Sequence, residues 1–281
     1  DMHELDISAL DMINARDIEE YMEYLKYRPD ENGDDIANRE NGIKRKVSSL
    51  KSFYRYFYES EMIKTNPAAL VHLPKIHDKD IVRLDYNEVA SLLDEAENGS
   101  RLTDKQKTYH KKTRNRDVAM LSLLLGTGMR ISECVGIDIN DLDLEETAVR
   151  IHRKGGKEEV VYFSDEVAGN MLPYLEERKN TAAEPGSENA LFLSLQNKRM
   201  SVRSAELMVK KYAEVVTPLK HITPHKLRST YGTHLYQETG DIYLVADVLG
   251  HSDVNTTKKH YAAIDENRRR MARKAVKLRE E

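Results

Sequence analysis

One cysteine, Cys134, stands in 281 residues. That excludes an internal disulfide and any zinc site built from cysteines, and it fits a reducing compartment, the cytoplasm. No segment approaches the roughly 18 apolar residues of a membrane span. The opening residues also lack the charged-then-apolar pattern of an export signal. A soluble cytoplasmic chain with no membrane partner is the expectation. Internal repeats and low-complexity tracts are missing too, which argues against a solenoid or an array. Ten histidines are present, yet no H-E-x-x-H occurs, Pro224 separates His221 from His225, and the acidic residues do not cluster with the histidines. No metal and no other cofactor is expected.

Excess charge of one sign is lacking overall, for 44 Lys and Arg face 48 Asp and Glu, a net charge of −4. The distribution is uneven. Residues 1–35 hold twelve acidic side chains against Arg16, Lys26 and Arg28; residues 39–55 hold six basic ones against Glu40; residues 101–116 hold seven against Asp104. A polyanion needs only such local basic faces. The candidate cations are Lys44, Lys46, Lys51 and Arg55 in the first basic stretch, and Lys105, Lys107, Lys111, Lys112 and Arg114 in the second.

The length suits two domains, each with its own core. In residues 15–27 the positions Ile18, Tyr21, Met22 and Leu25 recur at helical spacing, and Pro29 with Gly33 ends the run. A second helix fits 43–59, with Val47, Leu50, Phe53, Tyr54 and Phe57 on one face and cations on the rest. Asn66 and Pro67 read as a cap and first helical residue. The charged stretch 75–82 reads as a linker. This gives a helical domain over 1–74 and a larger domain over 83–281. In the larger part, 85–97 reads as a helix, 99–112 as a polar basic loop, and 118–125 as a short apolar helix end broken by Gly126 and Gly128. Residues 147–152 and 158–163 flank "RKGGKE" as a β-hairpin, the one convincing sheet signal. Helical patterns return at 165–179, 201–215, 225–238 and 241–249, and a basic helix fits 265–279. The fold class is mainly α with a small β-sheet.

Several short stretches carry chemistry. In "GTGMRISE" two glycines let the chain bend so that Arg130 projects from the start of the next helix. In "TPHKLRSTYGTHLY" Pro224 opens a helix, and His225 and Arg228, three apart, share its N-terminal face, where N–H groups and dipole favour a phosphate. His234 lies near that face and is equally a packed histidine. Lys154 and Lys157 flank the hairpin glycines, and a lysine on such a turn can serve as a charge clamp or proton donor. In "LGHSDVNTTKKHYAAID" stand His251, His260 and Tyr261, with Asp253 or Asn255 as a helix cap.

Read in order, "TGMRISE", "RKGGKE", "HKLR", "LGH" and "HYA" resemble the tyrosine recombinase, or phage integrase, family over nearly the whole chain. The stretch "KVSSLKSFYRYFYESEMIKTNPAALVHLPK" is likewise similar to the end of that family's helical core-binding domain. The resemblance implies a two-domain fold with a mixed α/β catalytic domain. It also implies a catalytic set of Arg130, Lys154, His225, Arg228, His251 and Tyr261, with Lys154 favoured over Lys157 by its spacing from Arg130. Ser229 departs from the family, where a second His is frequent, and the His251-to-Tyr261 interval is long. The basic 101–116 stretch is also longer than the family leads one to expect.

A tyrosine hydroxyl has a pKa of about 10, so near neutral pH only about one in a thousand is ionised. What the resemblance implies is an assisted attack of Tyr261 on a DNA phosphate. Arg130 and Arg228 bind the non-bridging oxygens, His225 acts as base or donor, His251 as a further donor, and Lys154 protonates the departing 5′ oxygen. The implied partners are duplex DNA with specific recombination sites, a homo-tetramer in which the C-terminal helix (Met271, Ala275, Leu278) contacts a neighbouring protomer, and a directionality factor. The leading setting is integration and excision of a mobile element, and an N-terminal arm-binding domain lost ahead of Asp1 fits that setting. Resolution of chromosome or plasmid multimers is the alternative. A type IB topoisomerase or an idle DNA-binding protein ranks below both.

Overall fold

The computed structural model describes residues 7–29, 35–36, 40–74, 82–153, 155–250 and 254, of which 28–29 and 35–36 are described by backbone alone. The expected linker residues 75–81, Lys154, His251, Tyr261, the caps at Asp253 and Asn255, and the basic helix over 265–279 lie outside the described residues. The chain divides into two units, Asp1–Asp80 and Ile81–Glu281.

In the first unit a 3-10 turn over Ile7–Met12 leads into α1 (Ala15–Lys26). The Asn14 side chain caps α1 by accepting from Arg16 N and Asp17 N, and Asp17 returns the favour to Asn14 N. Strands β1 (Arg28–Pro29) and β2 (Asp35–Ile36) pair antiparallel. Then come α2 (Glu40–Glu59) and the short α3 (Pro67–Leu70), capped by Asn66. Ile18, Leu25, Ile43, Val47, Tyr54, Ile63, Ala68 and Val71 form one core. Asp11 closes it from outside by accepting from Lys64 N at 2.8 Å and Thr65 N at 3.1 Å. Phe53 corrects the expectation, because it is 44% exposed. At 100° per residue it sits about 110° round the helix from the line through Val47 and Tyr54 that meets the core. It packs instead on Phe57, with ring centroids 4.8 Å apart.

The second unit opens with α4 (Tyr86–Asn98), boxed by Asp85 and Glu88 and stopped by Gly99 at φ 62. Next is α5 (Asp104–Thr127), a single 24-residue helix. Residues 99–103 form the start of the loop expected over 99–112, but 104–112 are helix instead, continuous with the short helix end expected over 118–125. Thr103 and Gln106 form a capping box that starts the helix. Its first half does bury a stripe, but a polar one: His110, Thr113 and Asp117. Nor does Gly126 break the helix. A Cβ there would lie 2.5 Å from Val167 Cγ2, so the glycine permits close approach to α7 (Asp165–Lys179). Gly128 does end it, in the left-handed region at φ 66.

After α6 (Ile131–Gly136) come β3 (Leu142–Asp143), β4 (Ala148–His152) and β5 (Glu158–Tyr162). They form an antiparallel sheet in the order β3-β4-β5, with Val149 opposite Val161. The hairpin lies where the sequence puts it, and β3 is an added edge. The rest is α7, α8 (Val202–Val216), α9 (Pro224–Thr239) and α10 (Ile242–Val248). The apolar half of α5, Ala119–Leu124, runs through the core and packs against α4, α7 and α9. Asp117 is fully buried beside it. It accepts from Thr113, Arg116, Tyr212 and Lys211, the last at 2.9 Å. Burial alone pushes the Asp117 carboxyl up, but Arg116 and Lys211 outweigh it and hold the group below the usual carboxylate range.

Candidate active site

The turn after α5 is the hub. Its left-handed glycine bends the chain so that Arg130 becomes the N-cap of α6. A Cβ at position 128 would fall on Tyr231 Cδ1 and Leu249 Cδ2, so the turn fits only because glycine has no side chain. Arg130 N donates to Glu133 Oε2 at 2.7 Å, and Arg130 Nη1 donates to Glu133 Oε1 at 2.7 Å. Glu133 is 6% exposed, whereas the Arg130 side chain keeps 41% of its surface. A buried carboxylate thus aims a half-exposed guanidinium outward.

Arg228 reaches the same turn from the opposite direction. It lies in the first turns of α9, where Pro224 stands at N1 and Thr223 precedes it. Arg228 is 5% exposed. Its Nη1 donates to the Gly128 carbonyl at 2.7 Å and its Nη2 to the Leu249 carbonyl. A bond from a charged donor contributes about 1.5–3 kcal/mol, so Arg228 anchors α5, α9 and α10 together. His225, on the preceding turn of α9, is exposed. Its carbonyl accepts from Ser229 Oγ at 3.0 Å.

The Leu249 carbonyl has a second donor. Arg153, at the end of β4, sends Nη1 to it at 2.9 Å and Nη2 to the Val248 carbonyl at 2.9 Å. Sequence reasoning missed Arg153; the only signal was an arginine set beside Lys154 with Glu159 across the hairpin. Lys157 is exposed, and its carbonyl accepts from Arg153 N at 2.8 Å.

His234 packs rather than faces the turn. It stacks on Tyr86, centroids 3.9 Å apart at 13°, and Tyr86 Oη donates to Glu238 at 2.9 Å. Burial lowers its pKa, which suits a neutral packing histidine. Among the described residues no three His, Cys, Asp or Glu side chains gather as metal ligands. Cys134 is buried and its thiol is pushed up by that burial, the mark of an inert structural cysteine. No helix among the described residues is long and apolar enough to cross a membrane.

The two basic stretches fall on α2 and on the first half of α5. On α2, Lys44, Lys46 and Lys51 are half-buried and Arg55 is exposed, and Lys51 Nζ donates to the Ala69 carbonyl at 3.4 Å. On α5 the helix divides the expected cluster between two sides. Lys107, Lys111 and Arg114 line a cavity of about 510 Å³ beside Gly99 and His110. Lys112 turns toward Arg116 and Glu177 around a smaller one of about 130 Å³, and Lys105 is exposed.

Known proteins share this architecture. The model of the phage integrase family matches residues 82–268. Tyrosine recombinase XerD of Staphylococcus epidermidis is 30% identical over 252 residues, covering 90% of this chain and 79% of that relative. Tyrosine recombinase XerC of Leptospira interrogans is 30% identical over 273 residues, covering 97% and 80%. Among solved structures, the Tn1549 transposon integrase in complex with transposon right end DNA superimposes with a TM-score of 0.72 at 22% identity, covering 97% of this chain and 88% of that one. XerH bound to a palindromic difH substrate gives 0.72 at 20% identity, covering 92% and 71%. The chain belongs to the phage integrase family, and it is a tyrosine recombinase.

Proposed function

We propose that this enzyme cuts and rejoins duplex DNA at specific sites through a 3′-phosphotyrosyl intermediate formed on Tyr261. The observation that carries the reading is the convergence of Arg130 and Arg228 on one glycine turn from distant parts of the chain. Two arginines held at one turn suit the non-bridging oxygens of a phosphodiester, where charge builds up in the transition state. Tyr261 Oη attacks phosphorus and its proton passes to His225. The P–O5′ bond breaks, and the departing 5′ oxygen takes a proton from Lys154. His251 adds a donor to the phosphate. The phosphodiester's energy is kept in the tyrosyl link, so religation is the same step reversed and consumes no ATP.

Duplex DNA is held by the two basic faces through its phosphates, which gives salt-dependent affinity rather than base readout. Lys44, Lys46, Lys51 and Arg55 serve the helical core-binding domain. Lys105, Lys107, Lys111, Lys112 and Arg114 serve the catalytic domain. The working assembly is a homo-tetramer in the cytoplasm whose C-terminal helix packs on a neighbouring protomer, with a directionality factor biasing the outcome. Its setting is integration and excision of a mobile element. A second setting, resolution of chromosome or plasmid multimers, is favoured by the 30% identity to a XerD and to a XerC.

The test is a nicked suicide duplex made from the DNA flanking the gene. The wild type should form an adduct that survives a denaturing gel, and Tyr261→Phe should form none while binding the same duplex. An adduct with Tyr261→Phe overturns the assignment.

A further inference from the structure

Arg153 has no part in the steps above, yet its bonding is that of a fixture. The residue lies at the root of a surface turn and is only 8% exposed. Its guanidinium spans two structures. On one side Nη2 donates to Glu159 Oε1 at 2.7 Å, and Nε lies 2.6 Å from Glu159 Oε2, which ties it to β5. On the other side Nη1 and Nη2 hold the consecutive carbonyls of Leu249 and Val248 at the end of α10. The backbone of Arg153 also closes the turn: its N–H donates to Lys157 O at 2.8 Å, and its carbonyl accepts from Gly156 N at 3.1 Å.

Among its described residues the turn beyond it has no other anchor of this kind. Gly155 and Gly156 have φ 90 and 79, and a Cβ on either would meet nothing within 4 Å. Position 250 tells the same story from the other side. Gly250 has φ 58, and a Cβ there would fall on Nη1 and Cζ of Arg153, so glycine leaves room for the guanidinium as well as permitting the left-handed backbone. The Leu249 carbonyl that takes Arg153 Nη1 also takes Arg228 Nη2. One acceptor therefore joins the hairpin root to the arginine at the glycine turn.

We propose that Arg153 is a positioning residue for strand cleavage, fixing the turn that carries Lys154 to the end of α10 and thereby setting proton delivery to the departing 5′ oxygen. The proposal rests on the reaction given under "Proposed function". An arginine suits the task because a planar fork can hold two carbonyls and a carboxylate at once. A lysine, a point charge, cannot.

The experiment separates proton delivery from everything else. Single-turnover cleavage is measured on two nicked suicide duplexes, one ordinary and one with sulfur in place of the bridging 5′ oxygen. A thiol has a pKa near 8.5 and departs without an acid. Lys154→Ala should be slow on oxygen and restored on sulfur. Arg153→Ala should follow it, losing about 10- to 100-fold on oxygen, within the usual span of a general acid, and keeping the wild-type rate on sulfur. Arg153→Lys should fall between, and Glu159→Gln should shift the same way by less. The sulfur-to-oxygen ratio is taken on one preparation, so a reduced folded fraction cancels. Equal losses on both duplexes, or no loss on oxygen, would overturn the role of Arg153 while the recombinase reading stands. A wild type that cleaves neither duplex would overturn both.

Discussion

Helix α5 begins among lysines that face water and ends at Gly128, whose carbonyl is gripped by the buried Arg228. The cations at the two ends differ in what they hold. At the start, Lys105, Lys111, Lys112 and Arg114 are exposed, so each keeps much of its hydration. At the end, Arg228 directs Nη1 and Nη2 to the carbonyls of Gly128 and Leu249, and Arg153 reaches those of Val248 and Leu249 as well as Glu159. Arg130 stands between these extremes, half-exposed but aimed by Glu133. Lysine at a wet surface contributes charge; arginine among carbonyls contributes geometry. Asp117 marks the boundary between the polar and apolar halves of the helix, pairing with Arg116 beside it and tying the helix to α8 through Lys211.

That contrast ranks the expected effects of substitution. Removing the fully buried Asp117 strands two half-buried cations and leaves Thr113 and Tyr212 without their acceptor, so Asp117→Ala should cost about 3–5 kcal/mol in a denaturant titration. Because the folded carboxyl lies below its unfolded value, this stabilisation is full above the unfolded pKa of about 3.9 and is lost as pH falls through the folded one. The gap between wild type and Asp117→Asn should therefore close in acid, and a gap that widened there would contradict the ion pairing. Arg130→Ala should slow cleavage about 10²- to 10³-fold per folded molecule, by analogy with the loss of one oxyanion donor, and should also lower the melting temperature, because the buried Glu133 carboxylate loses its charged partner. Arg228→Ala is the poorer probe, since it removes tertiary anchors along with any phosphate contact.

Gly128→Ala should come next. The left-handed backbone costs an ordinary residue about 1–2 kcal/mol, and contact with Tyr231 and Leu249 adds to that. Both stability and cleavage should fall, because the turn that strains is the one that carries Arg130. The smallest effects belong to the outer end. Lys107→Ala and Lys111→Ala should each change stability by less than about 0.5 kcal/mol. Each should also lower the slope of log affinity for duplex DNA against log salt by about 1. An unchanged slope would remove these lysines from the DNA face.

How legible each end was in the sequence follows from the same chemistry. The inner end announced itself: an apolar run, two glycines, Arg130 and Glu133 lie within a few residues of one another, and Pro224 marks the helix that supplies Arg228. The outer half reads as a loop because its buried stripe is His110, Thr113 and Asp117, and burial of polar groups leaves no hydrophobic period to find. Only the Thr103 and Gln106 cap spoke for a helix there. Phe53 misled for the converse reason, being apolar yet off the line that meets the core. Arg153 was illegible because its acceptors are carbonyls of Val248 and Leu249, and a carbonyl carries no signature of residue type.

The central claim is that the chemistry belongs to a single side chain among fifteen tyrosines. The most direct measurement is to trap the covalent adduct, digest both protein and DNA, and locate the nucleotide-bearing peptide by mass spectrometry. Attachment through the Tyr261 oxygen to a 3′-phosphate is the predicted result. Attachment at any other residue, or through a 5′-phosphate, would contradict it.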